Sequence, residues 1–171
     1  AQLLKAFSDH VDDELSRGNV VLPDAGMEVL NDRIRMVDGL IDSLLDKGFD
    51  VATNERLEVE PKKLDFAANR EALRDRWRLG LKMQVIEAYF TDKNKKQPAL
   101  TEALNPAQYP QEWKDAIKKV RESTHRSLNR LLQQSRQDHY DRYFDAITRA
   151  YDPHSDYMAP TSKEDFDIQM S

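Results

Sequence analysis

Asp152, His154 and Ser155 supply the three residue types of a nucleophilic hydrolase. They lie within the string Ala150-Tyr151-Asp152-Pro153-His154-Ser155-Asp156-Tyr157-Met158-Ala159-Pro160. A triad needs its base between the nucleophile and an orienting carboxylate, and these normally come from distant segments. Near-consecutive residues beginning Asp-Pro seldom converge in that way. The residues therefore read as a turn, with Asp152 and Ser155 satisfying backbone groups and His154 packing at the end of the preceding helix. The other histidines offer no ligand set. His125 and His139 lack the i, i+4 spacing of a helical metal pair, and His10 beside Asp9, Asp12 and Asp13 reads as a hydrated helix face. There is no glycine-rich phosphate loop and no pair of carboxylates in a recognisable cleft. The chain has no cysteine, which removes disulfides and thiolate metal sites. No catalytic residue, metal or cofactor is assigned.

The elements that would position these residues are helices. Ser135 and Asp138 have capping-box spacing. From there Tyr140, Tyr143, Phe144, Ile147 and Tyr151 step by threes and fours, so one face is apolar and aromatic. Pro153 ends that helix, because it lacks an N–H and disfavours helical geometry at Asp152. Thr161 and Glu164 form a second capping pair, leading into Asp165-Phe166-Asp167-Ile168-Gln169-Met170.

Further upstream, Leu4, Phe7, Val11 and Leu15 predict a first helix ending at Gly18. A long helix follows Pro23 and Asp24, carrying Met27, Leu30, Ile34, Val37, Ile41 and Leu44 as far as Gly48. That heptad-like run suits a bundle seam between antiparallel helices better than a coiled-coil dimer. Phe49 to Lys63 reads as a surface loop anchored by Leu57 and Val59. Asn69 caps a helix bearing Leu73, Trp77, Leu81, Val85 and Tyr89. Thr91 to Gln111 is a proline-bearing connector with a short turn at Ala99 to Leu104. Pro110 opens a helix with Trp113, Ile117, Val120, Leu128 and Leu131. Trp77 and Trp113 are expected to be largely buried.

Composition agrees with an all-α protein. Apolar residues make up 39% of the 171-residue chain and charged residues 33%, with only five glycines. That balance is poor in core material and suits an elongated helical bundle of about five to seven helices forming a single domain, 1–171. The net charge of −5 is mixed throughout, so no single-sign field recommends nucleic acid. No apolar run approaches the roughly 20 residues of a bilayer span, and Ala1-Gln2-Leu3-Leu4-Lys5 does not read as a signal peptide. Arg74, Arg76, Arg78 and Lys82 cluster on one helix. They form a candidate docking surface for an acidic partner, or else a solvated face paired with Glu71, Asp75 and Glu87.

Two of these stretches are familiar. An Asp-Pro-His-Ser-x-Tyr-x-x-Pro string after an aromatic helix, followed by Phe166 and a Met170-Ser171 pair, resembles the carboxy-terminal processing proteases. More narrowly, it resembles the tail-specific protease branch at the junction just before the PDZ domain. Leu73-Arg74-Asp75-Arg76-Trp77-Arg78-Leu79-Gly80-Leu81-Lys82 is similar to the tryptophan-plus-basic helix of the helical N-terminal domain in that branch. The resemblance implies a fragment of a periplasmic serine protease that cuts proteins near their carboxyl termini. Its nucleophilic serine and lysine base would lie beyond the PDZ domain, so no residue here inherits a catalytic role.

In that reading the helical domain is a scaffold, substrate platform or docking surface. Its partners would be protein or peptide substrates, the parent's own PDZ and protease domains, or an adaptor protein. Residues 151–171 would form the junction towards the PDZ domain, with Tyr151, Asp152, Pro153, His154, Ser155, Tyr157 and Pro160 as its structural residues and Met158 adding apolar area. The alternative is a stand-alone helical module for protein–protein interaction.

Overall fold

The computed structural model describes residues 11–94, 106–160, 163, 167–168 and 170. Among the described residues five helices run in chain order: α1 (Val11–Arg17), α2 (Leu22–Lys47), α3 (Arg70–Asn94), α4 (Pro110–Leu132) and α5 (Arg136–Tyr151). One 3-10 turn occurs at Pro61–Lys63. No strand occurs among the described residues. The all-helical expectation therefore holds. The expected contributions of Leu4 and Phe7, the turn at Ala99 to Leu104 and the Thr161/Glu164 pair lie outside the described residues.

The helix ends follow local chemistry. α1 closes with Asn19 N–H donating to the Glu14 carbonyl and Gly18 N–H to the Leu15 carbonyl. This pair of hydrogen bonds needs a left-handed residue, and Gly18 has φ +67°. Gly48, at φ +73°, follows the end of α2 in the same conformation. α2 starts at Leu22, slightly earlier than expected, with Pro23 in its first turn, where a missing N–H costs nothing. Asn69 Oδ1 accepts the Ala72 N–H at 2.8 Å, the expected cap of α3. Pro110 is the first residue of α4.

The chain divides into two compact units, Ile34–Leu131 and Ala1–Arg33 with Leu132–Ser171. The first unit holds the apolar core. Ile34, Val37, Ile41, Leu44 and Leu45 of α2 are buried, with Leu81, Val85 and Tyr89 of α3 and Ala116, Val120 and Leu128 of α4. They recur at three- and four-residue steps, so each helix buries one stripe. Full burial of a side chain of this size contributes on the order of 1.5–3 kcal/mol. Tyr89 meets Trp113 edge-on at 5.7 Å between ring centroids.

Several expected core residues sit elsewhere. Leu131 and Val59 are exposed, and Leu57 alone of the two expected loop anchors is half-buried. Trp77 and Trp113 are half-buried rather than largely buried. Apolar spacing along a helix marks the face a tryptophan lies on but not how much of so large a side chain is covered.

The second unit is held differently. α5 has no buried residue. Its aromatic face forms a chain of ring contacts instead: Tyr140 to Phe144 at 6.3 Å, Tyr143 to Phe144 at 5.6 Å, and Phe144 to Tyr157 at 5.5 Å. Leu30, expected in the α2 seam, lies in this unit and is exposed.

Candidate functional site

α5 begins with a complete capping box. Ser135 N–H donates to Asp138 Oδ2 at 2.7 Å, and Asp138 N–H donates to Ser135 Oγ at 3.2 Å. The bond from the Ser135 N–H, and then one from the Ser135 hydroxyl to Asp138 Oδ2 at 2.9 Å, hold the Asp138 carboxyl below its usual range. At the first residue of the helix, Arg136 forks onto both oxygens of Asp24 at 2.7 Å. The Tyr140 hydroxyl sits 2.8 Å from Asp24 Oδ2 and 3.0 Å from the Val20 carbonyl, either of which can accept its proton. Arg136, and then Tyr140, lower the Asp24 pKa to about 2. Leu15, Gly18, Val20, Val21 and Phe144 complete the wall of a shallow cleft of about 390 Å³ beside this cluster.

At its other end α5 meets the Asp152-Pro153-His154-Ser155 string. Asp152 N–H donates to the Thr148 carbonyl at 2.9 Å. The Asp152 carboxylate accepts from His154 N–H at 3.0 Å and from the Ser155 hydroxyl at 2.6 Å. Ser155 and then His154 hold its pKa low. The serine thus gives its proton to the carboxylate rather than to the imidazole, which is a turn and not a triad. Arg149 bridges Asp145 at 3.0 Å and Asp156 at 2.8 Å, tying the helix to the segment after it. Tyr157 lies on Phe144 and is half-buried.

The remaining named junction residues are exposed. Tyr151 and Met158 are exposed. His154 is exposed rather than packed at the helix end, and Pro153 and Pro160 are exposed as well.

The basic residues of α3 do not share one free surface. Arg78 forks onto Glu55 at 2.5 and 3.2 Å and also reaches Asp75 at 2.8 Å. Lys82, only 7% exposed, reaches Glu55 at 2.6 Å and the Thr53 carbonyl at 3.3 Å. Arg76 donates to the Asp65 carbonyl at 2.8 Å, and Arg74 is exposed. Arg78, then Lys82, lower the Glu55 pKa to about 2. Of the three expected partners, Asp75 alone is seen on this cluster; the principal partner is Glu55, in the loop before α3.

A further polar cluster joins α2 to α4 within the Ile34–Leu131 unit. Arg121 binds Asp42 and Asp46. His125 places Nδ1 2.6 Å from Asp38 and Nε2 3.3 Å from Asp42. The sequence signal for it was present as two i, i+4 rows, Asp38-Asp42-Asp46 and Arg121-His125, but only packing pairs one row with the other. Among the described residues no group of three His, Asp or Glu side chains could hold a metal ion. No helix among them is long and apolar enough to cross a membrane.

Among the described residues the chain is all helical, and its Asp152-Pro153-His154-Ser155 string is a turn held by the Asp152 carboxylate. The family model described as tail specific protease N-terminal domain matches residues 1–161, and the chain belongs to that family. No curated protein and no solved structure matches it.

Proposed function

We propose that this chain is the non-catalytic helical part of a periplasmic serine protease that processes protein carboxyl termini. A serine and a lysine elsewhere in the parent would perform acyl transfer, and the helical domain would act as scaffold, substrate platform or docking surface. Family membership supports the class. The observation that carries the scaffold role is the tied exit from α5, where the Asp152 turn, the Arg149–Asp156 bridge and the Tyr157–Phe144 contact all hold the same few residues. A segment restrained at three points sets the direction of whatever follows it, here a PDZ domain, rather than acting as a loose tether.

Beside that exit Tyr151, Met158, Ile168 and Met170 are exposed. They offer apolar area to the parent's own PDZ and protease domains, to substrate, or to an adaptor. On α3 the docking part narrows to exposed Arg74, since Arg78 and Lys82 are committed to Glu55.

Tyr157→Ala tests the proposal. Because the ring is half-buried and stacked on Phe144, the substitution should destabilise the chain by about 1–2 kcal/mol. In the full-length parent it should slow cleavage of a tail peptide while leaving the serine's reactivity towards a small acylating reagent intact. Unchanged stability with unchanged cleavage would reduce the junction to an ordinary turn. Peptide turnover by the purified 171-residue chain, lost on Ser155→Ala, would overturn the non-catalytic reading.

A further inference from the structure

We infer that His125 and its carboxylate partners form a pH-responsive strap that closes α2 onto α4 within the Ile34–Leu131 unit. The geometry is that of an imidazolium. Both ring nitrogens face carboxylates, Nδ1 at 2.6 Å from Asp38 and Nε2 at 3.3 Å from Asp42. A neutral imidazole has one N–H and one lone pair. It can therefore satisfy one of these carboxylates only by turning a lone pair towards the other, whereas the doubly protonated ring donates to both.

The surrounding charges press in the same direction. Asp38, Asp42 and Asp46 stand at i, i+4 steps on one face of α2, and like charges at that spacing destabilise a helix. From α4, Arg121 answers Asp42 and Asp46, and the proton on His125 completes the match at Asp38. Arg35 stands one turn before Asp38 on the same face of α2, while Glu122 and Arg126, flanking His125 on α4, pair with each other. The numbering rises along α4 as it falls along α2, so the two rows are antiparallel and each successive contact closes the helices further. The ring is 27% exposed, so protons reach it without unfolding.

The bonds to Asp38, and then to Asp42, hold the His125 pKa above its usual 6.5. A folded pKa raised above the unfolded one contributes stability that is complete below 6.5 and is lost as pH rises through the folded value. The strap is therefore shut on the acid side and slackens as pH climbs.

The test uses the whole 171-residue chain. The His125 ring C–H resonance, assigned as the one missing from His125→Gln, should titrate above 6.5, and Asp38→Asn should move it back towards 6.5. The urea midpoint of the wild type should exceed that of His125→Gln at pH 6, and the gap should close by about pH 8.5. A His125 midpoint at or below 6.5 overturns the strap. So does a gap that stays constant across that range, which would mark His125 as a packing residue only.

Discussion

Tyr143 brings a hydroxyl into the aromatic face of α5, where its oxygen is buried with no hydrogen-bond partner among the described residues. Burial, and then the charge of Glu14, raises its pKa, so the group stays a neutral phenol. An unmade bond of this kind costs about 1–3 kcal/mol. Tyr143→Phe keeps the ring contact with Phe144 and removes the orphan, and should raise stability by about 1 kcal/mol in urea unfolding. A loss of stability would mean that the hydroxyl is bonded after all. Three- and four-residue spacing placed Tyr143 on the right face, but spacing ranks tyrosine with phenylalanine and says nothing about the hydroxyl. Ser135 with Asp138, and Asp152 with Ser155, were legible because each partner lies three residues away and the bond is dictated by local backbone. Glu55 was not legible. Its partners Arg78 and Lys82 lie 23 and 27 residues further on, and the loop that holds it has no period to mark which side chain turns inwards.

Along α2 one heptad-like run serves two environments. Ile41 is 0% exposed while Leu30, on the same apolar stripe, is 39% exposed. A repeat identifies a face, but it does not say along which turns another helix lies against that face. The division of the chain between Arg33 and Ile34 falls between the two residues. Ile41→Ala should therefore cost about 2–5 kcal/mol by leaving a cavity in the core of the Ile34–Leu131 unit. Leu30→Ala should cost under about 1 kcal/mol, because most of the lost area already faces water. Urea midpoints for the two variants decide the point, and equal losses would show that Leu30 is covered in solution. α5 shows the complementary limit. Its cap and aromatic face are legible in the sequence, yet the helix buries no residue completely and is held by ring contacts and by Arg136 on Asp24. An aromatic stripe has the same pattern whether it fills a core or stacks along a surface.

At the scale of the whole chain, each unit contains one carboxylate held far below its ordinary range. Asp24 is drawn from 3.8 to about 2 by Arg136 and then Tyr140, and Glu55 from 4.5 to about 2 by Arg78 and then Lys82. A depressed folded pKa contributes stability that is present above the unfolded value and is lost as pH falls through the folded one. Both contributions should therefore be intact above about pH 5 and should disappear between about 4.5 and 2. Asp42, Asp50, Asp138 and Asp152 are shifted the same way and add to that acid limb. These groups are close to solvent, so 0.5 M salt should flatten the limb by screening. The two tryptophans, Trp77 and Trp113, both lie in the Ile34–Leu131 unit, so tryptophan emission reports that unit while far-ultraviolet circular dichroism reports helices of both. Glu55→Gln should lower the urea midpoint seen by emission at pH 6 and weaken its dependence on pH between 4.5 and 2. Asp24→Asn should do the same to the midpoint seen by circular dichroism. If both variants keep the full acid slope of the wild type, the stability lost in acid comes from other carboxylates, and the two arginine-centred pairs contribute little to holding their units together.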